Sequence, residues 1–269
     1  DLTYKHIMDL YTCTECGRCS DNCPAYITGK KLSPKHLTLA IRDHLYATEK
    51  AMFGKDALVE EPSDTAAAAP KQSDGEEAIH TFPQAPEGGY FVGETVVDLV
   101  PNILHPDVIW GCTSCRACEE QCPVMISYVD KIIGMRREEV MMKNEFPGEL
   151  QGAFNGIETN GNPWNLSAMD RGDWADGMDI PMLSDKPDAQ VLYWVGCAAS
   201  YDDRAKKVAR AVSKLLKKAR VDFAILGTEE TCTGDPARRA GNEYLFQMLA
   251  EQNIETLNGY EASKKTIIT

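Results

Sequence analysis

A chain of 269 residues, 43% of them hydrophobic, holds enough apolar material for more than one core, and two domains are expected. Its 28 Lys and Arg against 41 Asp and Glu leave a net charge of −13, which argues against nucleic acid and anionic membrane surfaces as partners. No apolar run approaches the roughly 18 residues that would span a bilayer, and the opening Asp1-Leu2-Thr3-Tyr4-Lys5 has neither the basic nor the apolar stretch of a secretion signal.

In chain order, residues 1–143 form the expected first domain. Ser33 is placed to cap a helix, Pro34 suits its first turn, and Leu37, Ile41, His44 and Leu45 mark one face. Residues 59–89 are acidic and rich in Pro, Ala and Ser, and read as a surface insertion with no core of its own. A further helix is expected over 124–142. Residues 144–188, rich in Gly, Asn, Asp, Pro and Trp, read as an irregular connector that Trp164 and Trp174 would pin to a core. From 189 the pattern changes. Residues 191–195 read as an apolar strand, after which Ala205, Val208, Ala209, Val212, Leu215 and Leu216 recur at helical spacing. A second strand over 223–226, a helix over 236–257 and a third strand over 266–268 follow. That alternation predicts a βαβαβ unit, with a parallel sheet and right-handed crossovers.

Eight of the ten cysteines lie in two short runs. The first is Cys13-Thr14-Glu15-Cys16-Gly17-Arg18-Cys19-Ser20-Asp21-Asn22-Cys23-Pro24; the second is Cys112-Thr113-Ser114-Cys115-Arg116-Ala117-Cys118-Glu119-Glu120-Gln121-Cys122-Pro123. Both read C-x2-C-x2-C-x3-C-P. A disulfide framework would spread its cysteines through a small secreted fold; bunching points to a metal site in a reducing compartment. Two intervening residues let a tight turn aim three thiolates at three corners of one iron–sulfur cube. The fourth Cys lies too far along to close the same cube, and in two-cluster ferredoxins it ligates the other. One 4Fe–4S cluster is therefore expected on Cys13, Cys16, Cys19 and Cys122, and a second on Cys112, Cys115, Cys118 and Cys23. Structural zinc uses pairs of ligands, four per ion, and gives no reason for a third Cys and a fourth before Pro, twice over. Arg18 and Arg116, inside the runs, are either tuning charges for these anionic centres or solvated surface groups. None of His6, His36, His44, His80 and His105 stands in ligand spacing.

The remaining two cysteines follow the first two strands of the back half, Cys197 in Trp194-Val195-Gly196-Cys197 and Cys232 in Glu230-Thr231-Cys232-Thr233-Gly234-Asp235-Pro236. Loops at the carboxyl ends of parallel strands lie together, so a shared site is expected there, against the plainer reading of two inert core thiols. Asp202 can cap the first helix, and Asp235 with Pro236 can open the second. Helix ends aimed at the thiols would favour thiolates.

On these residues the front half resembles the helical two-cluster ferredoxin domain of the heterodisulfide reductase D and anaerobic glycerol-3-phosphate dehydrogenase C group, including Gly29-Lys30-Lys31-Leu32-Ser33-Pro34-Lys35 after the first run. The back half, 189–269, resembles that group's cysteine-rich "CCG" domain, with Cys197 at its Gly-Cys position and Cys232 at the first Cys of its CCG motif. The implied fold is an α-helical two-cluster ferredoxin domain followed by a partial α/β domain of CCG type. Thr233 stands where the motif has its second Cys, and the group's later C-x2-C pair and second CCG domain are not in this sequence. Cys197 and Cys232 are thus expected to form an incomplete third site. A cluster there would need ligands from outside residues 1–269, in a native protein longer than this chain.

The resemblance implies an iron–sulfur electron-transfer subunit of an oxidoreductase complex in anaerobic metabolism, with no substrate site of its own. Its donor would be electron-transfer flavoprotein or another flavoprotein. Its acceptor would be a membrane cytochrome, a subunit that reduces menaquinone, or a partner enzyme, at the cytoplasmic face of the membrane. The alternative is a disulfide reductase of heterodisulfide type working at a cluster of the back domain, against which Thr233 weighs. A third reading, with clusters as structural pins of a binding module, is disfavoured by the acidic charge. With no G-x-G-x-x-G or P-loop, no bound nucleotide is expected.

Overall fold

The computed structural model describes residues 2–53, 91–92, 95–96 and 98–269; the acidic stretch 59–89, with His80, lies outside them. The chain divides into two compact units, Asp1–Arg136 and Arg137–Thr269.

In the first unit, helix α1 (Tyr4–Thr12) opens on a capping box in which Thr3 and His6 satisfy each other's backbone amides. The first cysteine run follows at once and carries two single-turn helices, α2 (Arg18–Asp21) and α3 (Pro24–Ile27), before α4 (Pro34–Phe53). Ser33 Oγ accepts from the His36 amide at 3.4 Å, as a cap does. Leu37, Ile41 and His44 are buried, and Leu45 packs against the same core. A short antiparallel pair, β1 (Phe91–Val92) with β2 (Thr95–Val96), precedes α5 (Pro106–Trp110), then the second run with α6 (Ala117–Glu120), then α7 (Val129–Glu138). The expected helix over 124–142 starts late. Met125 adopts φ +58, and the Ile126 amide is drawn to Cys122 Sγ at 3.4 Å, so the chain stays a loop through Tyr128. Leu10, Leu32, Leu37, Ile41, Ile109 and Ile132 make the centre of this unit's core; burying each contributes roughly 1.5–3 kcal/mol.

In the second unit the stretch expected to be irregular contains α8 (Glu149–Asn160) and a 3₁₀ segment, Ala168–Ala175. Gly152 and Gly156 obscure the helical spacing. Gly156 has a packing reason, because a Cβ there would lie 2.7 Å from the Asn162 carbonyl oxygen and the Asn165 nitrogen. Trp174 is buried at 1% exposure, whereas Trp164 is half exposed, so only the first serves as the expected anchor.

Three parallel strands follow: β3 (Val191–Tyr193), β4 (Phe223–Ala224) and β5 (Thr266–Ile268), in the order β4–β3–β5. Val191 pairs with both Phe223 and Thr266. β3 and β4 are shorter than the apolar runs that mark them, β5 has its expected bounds, and the β4 edge is extended by a parallel bridge between Met182 and Ile225. Helices α9 (Gly196–Tyr201) and α10 (Asp203–Lys218) fall between β3 and β4, and α11 (Asp235–Arg239) and α12 (Glu243–Gly259) between β4 and β5. The single helix expected over 236–257 is broken at Gly241, which takes φ +92, and Asn242 recaps the chain through the Leu245 amide at 3.1 Å. Asp202 caps α10 as expected, accepting from the Arg204 and Ala205 amides. The α10 face is shifted: Ala209 and Ser213 are fully buried, whereas Val208 and Leu215 turn outward. Among the described residues no helix is long and apolar enough to cross a membrane.

Candidate iron–sulfur centres and a buried thiol pair

The two cysteine runs fold alike. Glu15 and Ser114, two residues after the first Cys of each run, take φ +57 and +56; Gly17 and Arg116, just after the second Cys, take +84 and +61. Such left-handed turns gather N–H groups into a concavity that receives an anion. Glycine adopts this backbone freely at position 17, while Arg116 does so at a cost of roughly 1–2 kcal/mol. A single-turn helix then presents the third Cys, Cys19 on α2 and Cys118 on α6, and these two helices pack against each other. Pro24, after the fourth Cys of the first run, opens α3.

Cys13, Cys16, Cys19 and Cys122 line one hollow together with Thr14, Lys35, Ile126 and Tyr128. Three of these thiols come from the first run and one from the second. Cys112 packs against the core that contains Cys23. Cys23 and Cys115 are both electrostatic neighbours of Cys112; Cys118 neighbours Cys112 and Cys23 and, from the first group, Cys19. Among the described residues no three His, Cys, Asp or Glu side chains converge tightly enough to hold a single ion. The thiols stand around a space instead of meeting at a point.

The bare thiols are crowded and partly dry. The Arg18 amide, then the Thr14 hydroxyl and the Arg18 guanidinium, hold Cys16 below the usual thiol range. Burial pushes Cys19 up against the opposing hydrogen bond from the Tyr128 hydroxyl. It also pushes Cys112 up, although the Ser114 amide donates to its sulfur at 3.3 Å and Arg136 lies nearby. Cys118 is pushed up to about 12 by burial and then by Glu119 and the thiols of Cys112 and Cys23. Such a donor set becomes fully ionised only when cationic metal replaces its protons.

Of the two arginines singled out in the runs, Arg18 keeps its contact with Cys16. Arg116 is committed to carboxylates, at 2.6 Å from Glu119 and 2.9 Å from Asp130, and is half exposed. The buried cations near the runs were not evident in the sequence. Arg136, 5% exposed, donates to the Ile109 and Cys112 carbonyl oxygens, each at 2.6 Å, and lies over the Trp110 ring. Lys131 is fully buried and sits 2.9 Å from Asp9. Asp9 also accepts from the Ser127 amide at 3.1 Å, and Lys131 donates to the Ser127 carbonyl at 2.5 Å. This network fastens the loop after Cys122 to the last turns of α1, immediately before Cys13. Charged residues at 9 and 131 beside Leu10 and Ile132 were the available signal.

In the second unit the loops after β3 and β4 bring the Cys197 and Cys232 thiols together; the Cys197 sulfur also lies 3.6 Å from the Gly161 carbonyl oxygen, to which its thiol can donate. The first loop turns at Gly196, φ +80; the second turns at Gly234, φ +78, where a Cβ would come within 3.1 Å of Phe246. Arg171, from the 3₁₀ segment, joins the two loops. Its guanidinium lies 3.4 Å from Cys197 Sγ and 2.8 Å from Glu230, with both charged side chains at 2% exposure. Glu230 in turn accepts from the Val195 and Gly196 amides at 2.9 and 2.7 Å. The Gly161 carbonyl accepts from the Cys232 amide at 2.9 Å and from Arg171 at 3.3 Å.

The Cys232 thiol and then Arg171 draw Cys197 below the usual thiol range, against burial, while the Cys197 sulfur and then burial push Cys232 up. For Cys197 the causes are the partner thiol and a buried guanidinium; a helix end does reach Cys232, whose sulfur accepts from the amide of Gly234, the N-cap of α11, at 3.5 Å. The pair supplies a thiolate beside a thiol next to a fixed positive charge: two soft ligands, or a nucleophile with a neighbour. Two thiols are half of what a cubane takes.

Residues 8–126 match the family model described as a 4Fe-4S dicluster domain, and residues 191–269 match that of a Cysteine-rich domain, CCG. The chain is 39% identical over 278 residues to "EtfAB:quinone oxidoreductase" of Syntrophomonas wolfei, covering 100% of this chain and 36% of that one. It is 39% identical over 277 residues to "Probable iron-sulfur-binding oxidoreductase FadF" of Bacillus subtilis, covering 98% and 38%. It is also 28% identical over 274 residues to the D component of the dihydromethanophenazine:CoB--CoM heterodisulfide reductase of Methanosarcina acetivorans, covering 98% and 56%. The chain belongs to the heterodisulfide reductase D-like iron–sulfur oxidoreductases. It spans little more than a third of the length of the first two of these relatives. No solved structure matches it. For this heterodisulfide reductase D-like chain, the dicluster match runs from before Cys13 to beyond Cys122, and the cysteine-rich match contains Cys197 and Cys232.

Proposed function

We propose that this chain is the electron-transfer portion of an iron–sulfur oxidoreductase, with two 4Fe–4S clusters held by crossed ligands. Cys13, Cys16, Cys19 and Cys122 hold one; Cys112, Cys115, Cys118 and Cys23 hold the other. The observation that carries this reading is the hollow lined by four thiols drawn from both runs. Four thiolates suit a cubane, whereas zinc would want them gathered on one point. When bound, such clusters accept and release single electrons. The chain's own part is to place the thiols, supply amide and hydroxyl donors to their sulfurs, and keep Cys19, Cys23 and Cys118 away from water.

Residues 1–143 then form the dicluster domain, 144–188 join it to the next, and 189–269 form a partial CCG-type domain. The parallel register of β3, β4 and β5, with helices between them, supports reading the last as a βαβαβ unit. The name of the first relative supports a flavoprotein of the electron-transfer type as donor and a quinone as the final acceptor; the acceptor of this chain is then a quinone-reducing membrane partner or a partner enzyme, at the cytoplasmic face of the membrane. Cys197 and Cys232 serve as two ligands of a third centre, completed only by ligands from outside residues 1–269. A second reading, disulfide reduction at this pair, is favoured by one observation: the buried Arg171 guanidinium lies 3.4 Å from the Cys197 sulfur, next to the Cys232 thiol.

Anaerobic reconstitution of the chain with iron and sulfide tests the proposal. About eight irons, two cubes of four, are expected, and Cys122→Ser should damage the cluster of the first run more than that of its own. About four irons, or Cys122→Ser harming only the second run's cluster, would contradict it.

A further inference from the structure

We infer that Tyr128 sets one of the two centres apart from the other by donating a hydrogen bond to the sulfur of Cys19. The inference rests on Cys13, Cys16, Cys19 and Cys122 holding one cluster. Tyr128 is 1% exposed, lines the hollow, and packs with Cys19, Cys118 and Ile126. The thiols its phenol faces are those of Cys19, Cys122 and Cys13, with Cys19 the foremost. A tyrosine hydroxyl keeps its proton at neutral pH, so it can serve as the donor.

The backbone that delivers this hydroxyl is fixed on both sides. The Ser127 amide is held by Asp9 at 3.1 Å and the Val129 amide by Glu119 at 2.9 Å. The Ser127 carbonyl accepts from the buried Lys131 at 2.5 Å. The two runs otherwise repeat each other residue for residue in spacing, but the place that Tyr128 occupies after Cys122 is occupied after Cys23 by Gly29, which has no side chain to offer. The phenol is thus an asymmetric addition to a symmetric pair of sites.

A hydrogen bond to a ligating sulfur withdraws negative charge from it and stabilises the more negative, reduced state. Tyr128 therefore raises the potential of the centre that contains Cys19, with no proton changing hands, and makes it a better acceptor than it would be without the phenol.

Potentiometric titration of the cluster-loaded protein, followed by electron paramagnetic resonance, tests this. In Tyr128→Phe one of the two transitions should move to lower potential, the other should stay, and iron content should hold. Fluorotyrosine placed at 128, a stronger donor of nearly the same size, should move that same transition upward and remains readable if Tyr128→Phe loads poorly. Full iron content with neither transition moved, or both moved together, would overturn the inference while leaving the clusters in place. A wild-type protein without two transitions would instead overturn the cluster reading.

Discussion

The eight thiols of the first unit and the two of the second are prepared by different means. Around Cys13–Cys19 and Cys112–Cys118 the backbone does most of the work: two left-handed turns per run, a single-turn helix, and amides directed at sulfur, as from Ser114 to Cys112. Around Cys197 and Cys232 the backbone brings two sulfurs together, and a buried ion pair from distant segments, Arg171 with Glu230, supplies the charge. Sites of the first kind are written in residue spacing. Sites of the second kind depend on tertiary packing, and removing one charge leaves its partner stranded.

The largest expected effect that would sharpen this contrast is at that ion pair. Glu230→Gln leaves a buried guanidinium with only the Cys197 sulfur to offset it, and should destabilise the second unit by up to about 3–5 kcal/mol, read as a lowered denaturant midpoint. Arg171→Met combined with Glu230→Gln removes both charges and should recover much of the loss. A single Glu230→Gln variant as stable as the parent would mean that the pair is not what holds the two loops.

A middle-sized effect concerns reactivity. With Cys197 held below the ordinary thiol range, its alkylation in metal-free protein should slow as pH falls through a midpoint below about 8.5. Arg171→Met withdraws a stabilising charge from the thiolate and should move that midpoint upward. A midpoint near the ordinary thiol value of about 8.5 in the parent protein would break the assignment.

The smallest effect is expected at Arg116. Its salt bridges to Glu119 and Asp130 are at the surface, and exposed pairs contribute about 0–1 kcal/mol. Arg116→Ala should change stability by no more than that and leave both cluster potentials in place. A shift in either potential would restore this residue as a tuning charge.

What was legible in the sequence follows the same division. The two C-x2-C-x2-C-x3-C-P runs, the Ser33 cap with its buried face Leu37, Ile41 and His44, and the β3 and β5 segments could be read because each is encoded within a few residues. The helix α8 escaped because Gly156 is dictated by a close approach of Asn162 and Asn165, not by helix propensity. Arg171 escaped because it lies far along the chain from both cysteines it serves. Lys131 and Asp9, which pin the Cys122 loop to α1, stand in no motif and meet only through the fold. The outward turn of Val208 and Leu215 shows the converse limit, that apolar residues at helical spacing need not form one buried stripe.

The central claim is the exchange of fourth ligands between the two runs, and a structure of the cluster-loaded protein with iron located by anomalous scattering tests it most directly. The account predicts that Cys122 is bonded to the cluster shared with Cys13, Cys16 and Cys19, and Cys23 to the cluster shared with Cys112, Cys115 and Cys118. Cys23 on the same cube as Cys13, or single ions in place of cubes, would contradict it.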